Sequence, residues 1–251
     1  MKTRALLFIA FLTLSCQKQD VVPTPSQEYQ LSLPTTPLSY FLPVKDEIPT
    51  LGRVLFYDKR LSINNTISCA SCHKQNLAFS DNVAVSKGVN GHSTYRNTLP
   101  IQNITVTEGV ISNIFWDGRQ IDPKTAVIMP IFVDAEMGMN STAYLLNKLA
   151  VLPEYQKLFK EAYGSEIPTT YAFSTALAWF VSCIRTDYDR FDLYNINGST
   201  NKNLTEPLTD QELKGFDLFK TQYNCNACHH IEDKSAQMNL FTSDPSSPAP
   251  N

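Results

Sequence analysis

Hydrophobic positions along this chain recur with a helical period, and runs that alternate like a strand are nearly absent. Glu47 to Tyr57 predicts a short helix, with Leu51, Val54, Leu55 and Phe56 covering one broad face. Ser141 to Tyr163 carries Leu145, Leu146, Leu149, Leu152 and Phe159 at the same spacing, and Pro153 is expected to break or kink it. Tyr171 to Ile184 is apolar nearly all round, which predicts a central helix; within it Trp179 reads as core and Cys183 as a buried, inert thiol. Farther on, Thr209-Asp210-Gln211-Glu212 is a capping box, and it opens a helix that presents Leu213, Phe216 and Phe219. The polar run Asn195 to Asn201 marks a linker and domain boundary. The expected fold class is all-α.

The N-terminus departs from this pattern. Lys2 and Arg4 precede an apolar run from Ala5 to Leu14 that is too short to span a bilayer, so residues 1–16 read as an export signal. Leu12-Thr13-Leu14-Ser15-Cys16 resembles a bacterial lipoprotein processing site, which would make Cys16 a lipid anchor; the alternative is an ordinary signal peptide cut nearby. Both readings place the protein outside the cytoplasm, in the periplasm, and the first tethers it to the outer membrane as a lipoprotein. Residues 17–43 are rich in Pro, Gln, Ser and Thr and read as a flexible tether. A hydrophobic fraction of 43% allows a real core in a chain of 251 residues. The net charge of −3, without basic blocks, argues against a nucleic-acid surface.

Two short motifs change the picture. Cys69-Ala70-Ser71-Cys72-His73 is repeated near the other end as Cys225-Asn226-Ala227-Cys228-His229. Cys-x-x-Cys-His is the attachment signature of a c-type haem: two thioethers fix the porphyrin edge, and the adjacent imidazole becomes the axial ligand of the iron. A thioredoxin-like dithiol would use one Cys-x-x-Cys beside a βαβ pattern, which is not present. A four-cysteine zinc site needs a modest spacer, whereas these pairs stand about 150 residues apart. Disulfides across a two-residue spacer would be strained and would leave both histidines unexplained. Ahead of each motif lies Gly-x-x-Leu-Phe, as Gly52 to Phe56 and as Gly215 to Phe219, the trace expected of an internally duplicated cytochrome c domain.

From Leu51 to His229 the chain resembles the bacterial di-haem cytochrome c peroxidases and their MauG-type relatives. The resemblance rests on Leu51 to Ser62, Ile67 to His73, Arg96-Asn97-Thr98, Phe115-Trp116-Asp117-Gly118-Arg119, and Pro130 through Ala135-Glu136-Met137, in the family's order. It implies two cytochrome c-like haem domains in tandem. Residues 44–200 would form the N-terminal peroxidatic domain, and residues 201–251 the start of a C-terminal electron-transfer domain that is incomplete. His73 would ligate the peroxidatic haem and His229 the electron-transfer haem. Glu136 would be the acid–base residue of the peroxide pocket, Trp116 the aromatic between the haems, and Asn97 a contributor to an interdomain calcium site. Arg96 and Arg119 would serve either haem propionates or ion pairs of their own.

Two departures from the family stand out. Where the classical peroxidases carry a ligating loop histidine before Arg-Asn, this chain has Val89, and the nearby histidine is His92. The chain also ends at Asn251, short of the stretch that would bring a distal ligand to the second haem; Met238 is a candidate ligand there, and His230 adjoins His229 too closely to reach the opposite face. The activity implied is reduction of hydrogen peroxide to water, with electrons from a small donor such as a monohaem cytochrome c or a cupredoxin. The alternatives are a MauG-like oxidase acting on a protein substrate and a non-catalytic electron-transfer or haem-binding remnant.

Overall fold

The structure is a computed structural model, and it describes residues 45–104, 106, 113–186, 190, 191, 194 and 208–227. The leader, the tether, the Asn195 to Asn201 linker, Cys228, His229, His230 and Met238 lie outside the described residues. Among those described, the chain is helical with no strand, and three isolated antiparallel bridges close loops at Lys74–Ser80, Lys87–Ser93 and Ile114–Gln120.

Seven α-helices are described: α1 Glu47–Tyr57, α2 Cys69–Cys72, α3 Pro123–Ala126, α4 Thr142–Ala150, α5 Pro153–Tyr163, α6 Thr170–Ser182 and α7 Asp210–Asp217. The first has the span its hydrophobic spacing predicts, and Pro49 is tolerated because the first-turn N–H groups have no intrahelical partner. Pro153 does not kink one long helix but starts a second one, occupying the first position of α5. That helix ends at Gly164, whose φ of +77° suits a left-handed cap and whose N–H reaches the Lys160 carbonyl at 2.8 Å. Ser141 caps α4 and Thr169 caps α6, each hydroxyl accepting a backbone N–H at 3.1 Å.

The main packing event is α1 against α6. Leu51, Val54, Leu55 and Phe56 of α1 meet Phe173, Ala176, Leu177, Phe180 and Val181 of α6 in one core cluster that also takes in α4 and α5. Gly52 sits at the crossing. A Cβ there would lie 1.9 Å from the Ala176 carbonyl oxygen and 2.8 Å from Phe180 Cβ, so the missing side chain is what lets the two backbones approach. Trp179 is only partly buried, and Cys183 falls just past the end of α6 as its cap rather than within it.

A buried polar knot fixes the exit of α1. Asp58, 1% exposed, accepts hydrogen bonds from the Arg60 backbone at 2.8 Å, from Arg60 Nε at 2.8 Å and from the Tyr155 hydroxyl at 2.6 Å. Arg60 pairs onward with Glu154 at 2.7 Å, and Lys148 Nζ donates to the Arg60 carbonyl at 2.7 Å and to Asn65 Oδ1 at 2.6 Å. The knot ties α4 and α5 to the loop that leads into α2. Ser62 Oγ tightens that loop further by accepting the Thr66 and Ile67 N–H groups, each at 3.1 Å.

The second motif lies on a lighter scaffold. The Thr209–Glu212 capping box forms as expected, with the Thr209 N–H on Glu212 Oε2 at 2.7 Å and the Glu212 N–H on Thr209 Oγ1 at 3.3 Å. A π turn over Leu218–Gln222 follows α7, and Cys225–Ala227 forms a 3₁₀ turn. Phe216 stacks edge-on with Phe191 and Tyr194, and Arg190 pairs with Glu212 at 2.8 Å, yet no residue of α7 is buried.

Candidate functional site

The short helix α2 exists to present three side chains. Ser68 and Ser71 open it, with the Ser68 N–H on Ser71 Oγ at 3.0 Å, and one turn carries Cys69 to Cys72 before His73 caps the end with its N–H on the Cys69 carbonyl at 2.9 Å. Beyond it the chain doubles back. Ala78 and Phe79 take left-handed φ values of 55° and 54°, and Lys74 bridges to Ser80. This turns the Phe79 carbonyl onto His73 Nδ1 at 3.0 Å. A carbonyl only accepts, so Nδ1 carries the proton and Nε2 keeps its lone pair. Burial pushes the imidazole pKa down, against opposing contributions from the Phe79 and Leu99 backbone and the Asp81 charge, which favours the neutral ring a metal needs.

Cys69, Cys72 and His73 line one cavity of about 410 Å³. Its apolar wall comes from Phe56 of α1 and from Leu177 and Val181 of α6, so the Gly52 crossing also shapes the site. Burial pushes the Cys69 thiol up to about 12 and raises Cys72 as well, with Ser86 opposing at Cys72. Burial thus favours the neutral thiol at both sulfurs. Two thiols one turn apart, an adjacent neutral imidazole fixed through Nδ1, and an apolar cavity together fit an axially ligated haem attached at its edge.

Glu136 and Trp116 reach the same cavity. Burial raises the Glu136 carboxyl above its ordinary value, with the Arg119 charge opposing, and among the described residues its carboxylate accepts no hydrogen bond. Trp116 Nε1 donates to the Asn97 carbonyl at 2.8 Å, which joins the 94–99 and 113–120 walls. The two arginines share one partner: Asp117 takes Arg96 and Arg119, both at 2.8 Å, and Arg119 also lies 4.3 Å from the Phe115 ring centroid. Hydrogen bonds from both guanidinium groups hold the Asp117 carboxyl below its usual range, although partial burial works against them. Asn97 is exposed and donates from Nδ2 to the Val83 carbonyl at 2.8 Å. Among the described residues no group of three or more His, Cys, Asp or Glu side chains is placed to hold a metal ion.

Val89 and His92 are separated by the loop they share. The Val89 side chain is buried, its N–H reaches the Glu136 carbonyl at 2.8 Å, and Gly88 is so close beneath that a Cβ would lie 2.1 Å from the Ala135 carbonyl oxygen. His92 is exposed, across a turn closed by the Lys87–Ser93 bridge, and neither residue lines the cavity. Sequence reasoning passed over Asp81 and Ser86, the polar residues behind Cys72, and met their partner Thr98 only as part of Arg96-Asn97-Thr98. No periodicity betrays Asp81 or Ser86, because the loop closure that joins them is tertiary.

The model of the family described as di-haem cytochrome c peroxidase matches residues 46–201. The chain belongs to that family. It is 34% identical over 199 residues to the cytochrome c551 peroxidase of Nitrosomonas europaea, covering 78% of this chain and 55% of that protein. It is 31% identical over 188 residues to the methylamine utilization protein MauG of Methylorubrum extorquens, covering 74% of this chain and 50% of the relative. A solved MauG-like protein associated with microbial copper homeostasis superimposes with a TM-score of 0.65 at 28% identity, covering 90% of this chain and 63% of that one. The chain thus spans about half the length of the relatives it matches. Family membership brings haem as the cofactor class, and the helical architecture agrees with cytochrome c-like domains.

Proposed function

We propose that this protein reduces hydrogen peroxide to water with electrons from a small external donor, using two covalently held c-type haems. The observation that carries the reading is the gathering of Cys69, Cys72, His73 and Glu136 around one apolar cavity. Haem in that cavity supplies the redox-active iron at which peroxide is reduced. The chain's own residues do the rest. Cys69 and Cys72 would hold the macrocycle by thioethers, and His73 would ligate the iron through Nε2 while Nδ1–H stays on the Phe79 carbonyl.

Cleavage of the peroxide bond needs one proton moved from one peroxide oxygen to the other. Glu136 takes it and returns it, so that two further electrons and two further protons complete two waters. A carboxyl raised by burial is suited to this because its two protonation states lie closer in energy near neutral pH. Trp116, anchored through Nε1, would offer an aromatic step for electrons from a haem held by Cys225, Cys228 and His229. A monohaem cytochrome c or a cupredoxin supplies them from the periplasm, where the leader and a lipid anchor at Cys16 would place the protein. Asn97 is assigned to a calcium site completed by residues beyond those described.

A MauG-like oxidation of a protein substrate is the second reading, favoured by the likeness to the MauG-like solved structure. A haem-binding remnant without turnover is the third. Protein matured in a host that attaches c-type haem is assayed for peroxide-dependent oxidation of reduced cytochrome c, alongside its intact mass. The reading predicts two haems surviving acid–acetone extraction and steady turnover. Two haems without turnover leave the carrier reading, and a haem-free mass overturns all three.

A further inference from the structure

Behind Cys72 and His73 lies a polar cluster that the proposed chemistry does not use. The loop from Lys74 to Ser80 closes on itself, with the Lys74 N–H on the Ser80 carbonyl at 2.9 Å, so the chain leaves the loop beside the motif and Asp81 comes next. The Asp81 carboxylate accepts hydrogen bonds from the buried Ser86 hydroxyl, from the Val83 N–H at 3.3 Å and from Thr98 Oγ1 at 3.4 Å. Ser86 and Thr98, only 4% and 9% exposed, are themselves 2.6 Å apart, and the Ser80 hydroxyl holds the Thr98 carbonyl at 2.7 Å. Hydroxyls so deeply buried are costly unless each has a partner, and here the shared partner is one carboxylate.

We propose that Asp81, held behind the Cys72–His73 segment by Ser86 and Thr98, is a positioning residue that lowers the reduction potential of the His73 haem. This rests on the reading of the cavity as a haem site. Oxidation of the iron adds one positive charge, and a fixed anion close behind the axial imidazole stabilises the oxidised state. The antiparallel Lys74–Ser80 bridge sets Asp81 opposite His73 across the closed loop, which brings its charge within reach of the metal ligand. Its hydrogen bonds and the Lys74 ammonium outweigh partial desolvation and keep the carboxyl below its ordinary value, so the charge persists at neutral pH. Lys74 is the cation facing it, and removing Lys74 moves the balance the other way. The His73 Nδ1–H goes to a neutral carbonyl rather than to a carboxylate, so Asp81 acts through space and not through the imidazole hydrogen bond.

The test is spectroelectrochemical titration of the haem-loaded full chain. Asp81→Asn is expected to raise one of the two midpoint transitions, shifting the oxidised-to-reduced equilibrium three- to tenfold, about 30–60 mV for one electron. Lys74→Gln is expected to lower the same transition, and Ser86→Ala to raise it by less than Asp81→Asn. Opposite signs from the acid and the base separate an electrostatic role from a packing defect, which would move both variants alike. Haem bound with neither Asp81→Asn nor Lys74→Gln moving a transition, or both moving it in one direction, overturns the assignment. If Asp81→Asn does not load haem, Lys74→Gln decides by the same criterion. A wild-type chain that carries no haem at Cys69 and Cys72 overturns the haem reading itself, and this inference with it.

Discussion

The two Gly-x-x-Leu-Phe segments invite substitutions that look alike and should act with opposite sign. In Gly52→Ala the new Cβ meets the Ala176 carbonyl oxygen at 1.9 Å, its carbon at 2.6 Å and Phe180 Cβ at 2.8 Å. Two of those three atoms are backbone in the middle of α6, which cannot swing aside as a long side chain would. Overpacking of a core usually costs about 1–3 kcal/mol, and a contact this short with backbone lies at or beyond the top of that range. The better helix propensity of Ala offsets about 1 kcal/mol. The net loss is about 2–3 kcal/mol, which for a chain of this size lowers the melting temperature by about 5–10 °C. At Gly215, in α7, a Cβ meets nothing within 4 Å, so Gly215→Ala should stabilise slightly, by about 0.5–1 kcal/mol. Thermal and urea unfolding followed by far-ultraviolet circular dichroism measure both variants. A Gly52→Ala protein as stable as wild type would refute the close crossing of α1 and α6. Because Phe56, Leu177 and Val181 belong to both the crossing and the cavity wall, the same variant should also disturb the haem absorption band.

Other outcomes follow from the same geometry. Tyr155→Phe removes the 2.6 Å hydrogen bond to buried Asp58 and should cost about 1.5–3 kcal/mol, read as a lower urea midpoint at unchanged slope; no loss would mean the hydroxyl is not anchoring that carboxylate. Arg119→Gln removes the charge that opposes burial at Glu136, so the carboxyl pKa rises further. Since the ionised carboxylate must accept the first proton, the acid limb of kcat/KM should move to higher pH, and a limb that stays or moves down contradicts the coupling. With Val89 pinned beneath Glu136 and His92 outside the cavity, the ferric His73 haem should give a high-spin paramagnetic resonance signal unchanged by His92→Ala. A low-spin bis-imidazole signal lost in that variant would show that the loop delivers His92 to the iron.

Local signals carried the elements well and the tertiary polar contacts poorly. The α1 span and the α7 capping box follow from spacing within a dozen residues, and the structure has them; Cys69, Cys72 and His73, neighbours in sequence, line one cavity. Pro153 was ambiguous because a proline serves equally as a kink and as a first helical residue; Leu152 before it is extended, and Pro153 starts a new helix. The Asp58–Tyr155 bond joins residues 97 positions apart, and no periodicity encodes such a pair. The joint hold of Asp117 on Arg96 and Arg119 is likewise a matter of which loops meet. Trp179 shows the limit of composition: a helix apolar all round still turns one flank outward, and Trp179 falls on it. Family resemblance, rather than any pattern local to Glu136, was what singled that residue out, and the cavity then placed it with His73.

The central claim is that Glu136 moves the proton when peroxide is reduced at the His73 haem. Stopped-flow mixing of haem-loaded Glu136→Gln with hydrogen peroxide, followed through the haem absorption band, tests it most directly. The account predicts a reaction slowed by about 10²–10⁴ with haem content unchanged. A rate within about threefold of wild type, too small a gap for the loss of a proton-transfer group, would contradict it.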